Sequence, residues 1–83
     1  MPANDVGEGT RRATQAIEAY LARHVHAADS EAGIVQWWLP EMGVDVSLLE
    51  VRLALQSLVE RGRIESRSLP DGSVIYRAAP RRG

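Results

Sequence analysis

The chain contains no cysteine, no phenylalanine and no lysine. Without cysteine, disulfides and thiolate metal sites are excluded, and a reducing compartment fits. Without phenylalanine, the aromatic volume rests on Tyr20, Trp37, Trp38 and Tyr76 alone. Without lysine, every basic residue is arginine. That suits planar recognition of phosphate or carboxylate, and arginine-favouring codon usage produces the same composition. No apolar run approaches the ~18–20 residues of a membrane span, and no signal-peptide pattern precedes the first helix, so the cytoplasm is the expected compartment. Phosphate loops, GxSxG elbows, HExxH motifs and dinucleotide fingerprints are all missing. His24 and His26 lie two apart on a helix and point to different sides, so they cannot share one ion. The favourable dipole of a helix C-terminus explains them better. Neither an enzyme nor a metal or cofactor site is expected.

What is present reads as one small domain. The 83 residues are 45% apolar and 25% charged, enough for a single modest core. The net charge of −1 is unevenly laid out. Residues 1–51 hold eight acids and three arginines, a balance of −5; residues 52–83 hold seven arginines and three acids, a balance of +4.

The clearest signal is residues 47–64. Ser47-Leu48-Leu49-Glu50 is a capping box, in which the hydroxyl and the carboxylate each satisfy a backbone N–H at a helix start. Gly62 is a helix stop. Between them Leu48, Val51, Leu55, Leu58 and Val59 form one stripe expected to be buried. The opposite face carries Leu49, Glu50, Leu53, Gln56, Ser57 and Glu60, with Arg52 on its flank. A hairpin follows, with strands over residues 64–69 and 73–78 around a Leu69-Pro70-Asp71-Gly72 turn. The alternation of residues 74–77 does not single out an inner face.

Upstream, residues 1–9 read as a flexible tail, with Thr10 as the N-cap of a first helix. Ala13, Ala16, Ile17, Tyr20, Leu21 and Val25 give that helix its buried stripe, and it ends around residues 26–28. Asp29 or Ser30 caps a second helix, where Ile34, Val35, Trp38 and Leu39 share the core side and Trp37 sits at its edge. Pro40 stops or kinks this helix at Leu39. Residues 41–46 connect to the third helix, with Gly43 as the turn residue. The folded unit is residues 10–79, and residues 80–83, with Arg81 and Arg82, form a basic tail.

Helix, helix, longer connection, third helix and hairpin, in that order, resemble bacterial winged helix-turn-helix proteins. The matching residues are Val51-x-x-Ala54-Leu55-x-x-Leu58-Val59-x-x-Gly62-x-Ile64, with Asp71-Gly72 and Tyr76-Arg77. The expected fold is therefore mainly α, three helices with a small β-hairpin wing. The pattern is one of core packing, so it speaks to fold more than to function. Pro40, the long connection and an outer helix face poor in basic readers depart from the family.

Two functional readings follow. The resemblance implies a DNA-binding transcriptional regulator, with helix 47–61 in the major groove of double-stranded DNA and wing 63–78 on the backbone. Arg52, Gln56 and Ser57 are then the groove-facing candidates, and Arg63, Arg67, Arg77, Arg81 and Arg82 the phosphate or minor-groove contacts. The alternative is a protein-interaction or homodimerisation module with Trp37, Leu49 and Leu53 as its apolar centre. Leucines and glutamates are poor groove readers, which favours the second; the basic wing favours the first.

Overall fold

A computed structural model describes residues 5–80. The ends of both expected tails, residues 1–4 and 81–83 with Arg81 and Arg82, lie outside the described residues. The elements run α1 (Asp5–Arg23), β1 (Ala28–Ser30), α2 (residues 31–41), α3 (Leu48–Glu60), β2 (Ile64–Ser68) and β3 (Val74–Ala78). They make three helices and one antiparallel sheet of order β1-β3-β2, compatible with a helix-plus-wing arrangement.

Helix α1 starts at Asp5, ahead of the expected start, so Gly7 and Gly9 are helical. Thr10 is inside the helix rather than at its cap, and its buried Oγ1 has no hydrogen-bond partner among the described residues. The reason is tertiary. Gly9 is buried beneath α3, and a Cβ there would lie 2.0 Å from Glu50 Oε2. Close approach of a second element overrides glycine's poor helix propensity. At its other end α1 stops at Arg23 rather than at residues 26–28. Ala27 N–H donates to the His24 carbonyl (3.0 Å), and the turn leaves Val25 62% exposed, off the buried stripe. The chain turns early because residues 28–30 are needed as β1, which pairs Ala28 with Arg77, Asp29 with Tyr76 and Ser30 with Ile75.

Ser30 caps α2, its Oγ accepting from Gly33 N–H at 3.2 Å. The helix does not stop at Leu39. It continues through Pro40 to Glu41 because residues 34–38 widen into a π-helical turn, with Leu39 N–H donating to the Ile34 carbonyl five residues back. A wider turn relieves the clash of a proline ring with the preceding carbonyls. Both α2 and α3 then end in the same way. Val44 and Arg63 donate to Leu39 and Leu58, Gly43 and Gly62 to Pro40 and Val59, and both glycines sit at φ +73°.

The core joins Ala13, Ala16, Ile17 and Leu21 of α1 to Ile34, Trp38 and Leu39 of α2. Val51, Ala54, Leu55 and Leu58 of α3 and Ile64 of β2 complete it. Tyr20 stacks on Trp38 with ring centroids 4.6 Å apart and planes 10° from parallel. His24, beside Tyr20, reaches Glu41 at 3.1 Å and ties the end of α1 to the end of α2.

On α3 the buried stripe is turned toward Ala54, so Ser57, expected on the exposed face, is half-buried, and two leucines also differ from expectation. Leu48 is 48% exposed rather than buried. It is the first helical residue, and side chains lean toward a helix's N-terminus, so it overhangs the end instead of reaching the core. Leu53, expected on the exposed face, is half-buried. In the hairpin, Gly72 N–H closes the turn onto the Leu69 carbonyl at 2.9 Å. Ile64, with Tyr76 and Ala78, packs on the core. That fixes the inner face as Ile64, Ser66, Ser68, Val74, Tyr76 and Ala78, leaving Glu65, Arg67, Ile75 and Arg77 outside.

Candidate interaction surface

The capping box positions the start of α3. Glu50 N–H donates to Ser47 Oγ at 3.1 Å and Ser47 N–H to Glu50 Oε1 at 2.8 Å. From this anchored end, Leu49 projects outward at 54% exposure beside Leu48. One turn on, Arg52 turns toward α2. Its Nε donates to Glu31 Oε2 at 2.9 Å and a terminal nitrogen to Glu31 Oε1 at 3.1 Å. The hydrogen bond to Glu31, and then the carboxylate's charge, raises the guanidinium pKa further. The resulting ion pair is a clamp between α2 and α3.

Arg52, Gln56, Val59 and Glu60 of α3 and Ser66 and Tyr76 of the sheet line a shallow groove between helix and sheet. Two of the residues expected to read DNA, Arg52 and Gln56, therefore meet there. The others do not join them. Ser57 is half-buried, and its carbonyl accepts from Arg61 N–H at 3.0 Å. Arg63 lies against α1, 3.6 Å from Glu18. Arg77 is on the outer sheet face, paired with Glu65 across the strands. Arg67 shares that face, is exposed, and has no ion-pair partner among the described residues. At the hairpin tip Asp71 accepts from the Ser73 hydroxyl (2.6 Å) and N–H (2.9 Å). Those two bonds, the hydroxyl's first, hold its pKa below the usual aspartate range.

Of the residues expected at a protein interface, Leu49 is on the outer face of α3 and Leu53 is half-buried beside it. Trp37 stands 65% exposed on the outer side of the π-helical turn in α2. Sequence reasoning missed the acids that engage the arginines, Glu18, Glu31 and Glu65. The signal was there for two of them. An acidic first half and a basic second half attract, and Arg52–Glu31 and Arg63–Glu18 both join the halves.

Among the described residues no three His, Asp or Glu side chains are grouped to hold a metal, and no helix is long and apolar enough to cross a membrane. Compared with known proteins, the chain matches no family model, no curated protein and no solved structure.

Proposed function

We propose that the chain is a non-catalytic winged-helix domain that binds protein through the outer face of α3, centred on Leu49. The observation that carries this reading is the exposure of Leu48 and Leu49, adjacent residues on a helix start fixed by its capping box. Apolar side chains anchored on rigid backbone lose little entropy on docking, and an apolar centre with a polar rim is the anatomy of a protein interface. Gln56, Arg52 and Glu60 supply such a rim. The same face suits DNA poorly. Arg52 is already matched by Glu31, and Glu60 would meet phosphate with like charge.

DNA binding is the second reading, favoured by Arg61 and Arg67. Both are exposed, and neither has an ion-pair partner among the described residues. Exposed ion pairs contribute only about 0–1 kcal/mol, so phosphate could also compete for Arg77.

Leu49→Asp separates the two. The side chain is half-exposed and outside the core, so the variant folds with a native melting midpoint. On the protein reading it loses self-association in sedimentation, or cross-linking to a co-purifying partner, while generic duplex DNA binds neither protein appreciably. Tight, steeply salt-dependent DNA binding by the native chain would overturn the first reading in favour of the second.

A further inference from the structure

The sheet has two edges, and they differ. β1 is three residues long and runs straight into α2, so it offers little to pair with. β2 is five residues long with no proline, and its register with β3 is unbroken by a bulge. β2 therefore lacks the short length, the proline and the bulge by which natural edge strands are often blocked.

The hydrogen-bond phase of the hairpin shows which groups lie along this edge. Leu69 N–H donates to the Ser73 carbonyl and Ala79 N–H to the Arg63 carbonyl, at 2.8 and 3.1 Å. In an antiparallel ladder, alternate residues turn their backbone groups toward the partner strand. Arg63, Glu65, Arg67 and Leu69 therefore face β3, while Ile64, Ser66 and Ser68 face away. Ile64 is buried, at 2% exposure, so the accessible outward N–H and C=O groups are those of Ser66 and Ser68.

We infer that the β2 edge pairs antiparallel with the β2 edge of a second copy, about a two-fold axis at Ser66. In that register Ser66 exchanges two backbone hydrogen bonds with Ser66 of the second copy. Glu65 then falls opposite Arg67 of the other chain, and Arg67 opposite its Glu65. These would be non-hydrogen-bonded pairs, the kind in which facing side chains come closest. Two opposite charges two residues apart on one strand face are self-complementary only in the antiparallel sense, and only about the residue between them. Shifting the axis by one residue to Arg67 sets like charges opposite each other. The two-fold axis makes every favourable contact occur twice. Because the shared edge is short, the dimer is weak and depends on concentration. Ser66 borders the groove beside α3, but the edge contact uses neither Leu48 nor Leu49. Leu49→Asp therefore leaves an edge dimer intact and Ser66→Pro leaves the Leu49 face intact, which keeps the two readings distinguishable.

The test is sedimentation of the full chain from micromolar to millimolar concentration, with five samples. The native chain forms dimers that weaken with added salt. Arg67→Glu and Glu65→Arg, each checked for folding by thermal melting, are monomeric alone, because each faces like charges in its own homodimer. An equimolar mixture of the two dimerises again, since each then meets its opposite charge. Ser66→Pro removes the outward N–H without touching the β2–β3 ladder, and it abolishes the native dimer even if Glu65→Arg fails to fold. A native chain that stays monomeric at millimolar concentration overturns the inference. So does a dimer that survives Ser66→Pro, or a mixture of folded variants no more dimeric than its components.

Discussion

Arg52 of α3 grips Glu31 of the first turn of α2 through two hydrogen bonds, so the arginine best placed to enter a groove is neutralised within its own chain. Freeing it should change how the surface meets nucleic acid. Glu31→Gln keeps a hydrogen-bond acceptor but removes the charge. On the DNA reading it should bind generic duplex DNA at low salt more tightly than the native protein, with a salt slope steeper by up to about one unit. Fluorescence anisotropy at two salt concentrations measures both. Equal slopes would place Arg52 away from any DNA-facing surface.

The core gives a firmer expectation. Leu55 is 1% exposed and lies in the cluster shared by all three helices. Leu55→Ala should cost about 2–5 kcal/mol through lost burial and the cavity left behind. That is a large share of the stability of so small a domain. Urea denaturation should show a midpoint far below the native one, and an unmoved midpoint would contradict the packing of α3.

Much of this core was legible in the sequence because periodicity records burial directly. The capping box, Trp38 inside, the stop at Gly62, the positive-φ turn residue at Gly43 and the Asp71-Gly72 turn all follow from local chemistry. What was not legible depends on contacts between distant residues. Gly9 reads as tail until α3 is laid across it. The three residues of β1 carry no pattern of their own and become a strand only because β3 is beside them. Pro40 predicts a stop, but the π-helical turn before it absorbs the ring. At the candidate surface the residue types were visible, and the opposite charge of the two halves signals that they attract, but which acid engages Arg52, Arg63 or Arg77 depends on the fold.

The hairpin tip should report acid. The Ser73 hydroxyl and N–H hold the Asp71 pKa below its unfolded value of about 3.9. A group depressed on folding contributes stability that is fully present above its unfolded pKa and is lost as pH falls through the folded one. Native protein should therefore be more stable than Asp71→Asn near neutrality, and the gap should close as pH drops below about 4. Urea midpoints of the two proteins across that range test this. A gap independent of pH would mean that the hydrogen-bond geometry matters and the charge does not.

The contact between Gly9 and Glu50 makes the most discriminating stability prediction, because two effects of similar size oppose each other. Alanine is a better helix former than glycine by about 1 kcal/mol. Yet a Cβ at position 9 would sit 2.0 Å from the Glu50 carboxylate and must push it aside. Glu50 is the far half of the capping box, so displacing it forfeits part of a cap whose loss costs roughly 0.5–2 kcal/mol. Gly9→Ala alone should therefore change stability little, or lower it. Glu50→Ala alone should destabilise by the lost cap contact while opening the space over Gly9. In that background the same Gly9→Ala should stabilise by about 1 kcal/mol, since only the propensity gain remains. The four proteins form a double-mutant cycle read by chemical denaturation, with an expected coupling on the order of 1 kcal/mol. Additive effects would mean that α1 does not approach the start of α3 this closely, and that the helix between Asp5 and Thr10 is not packed where it lies here.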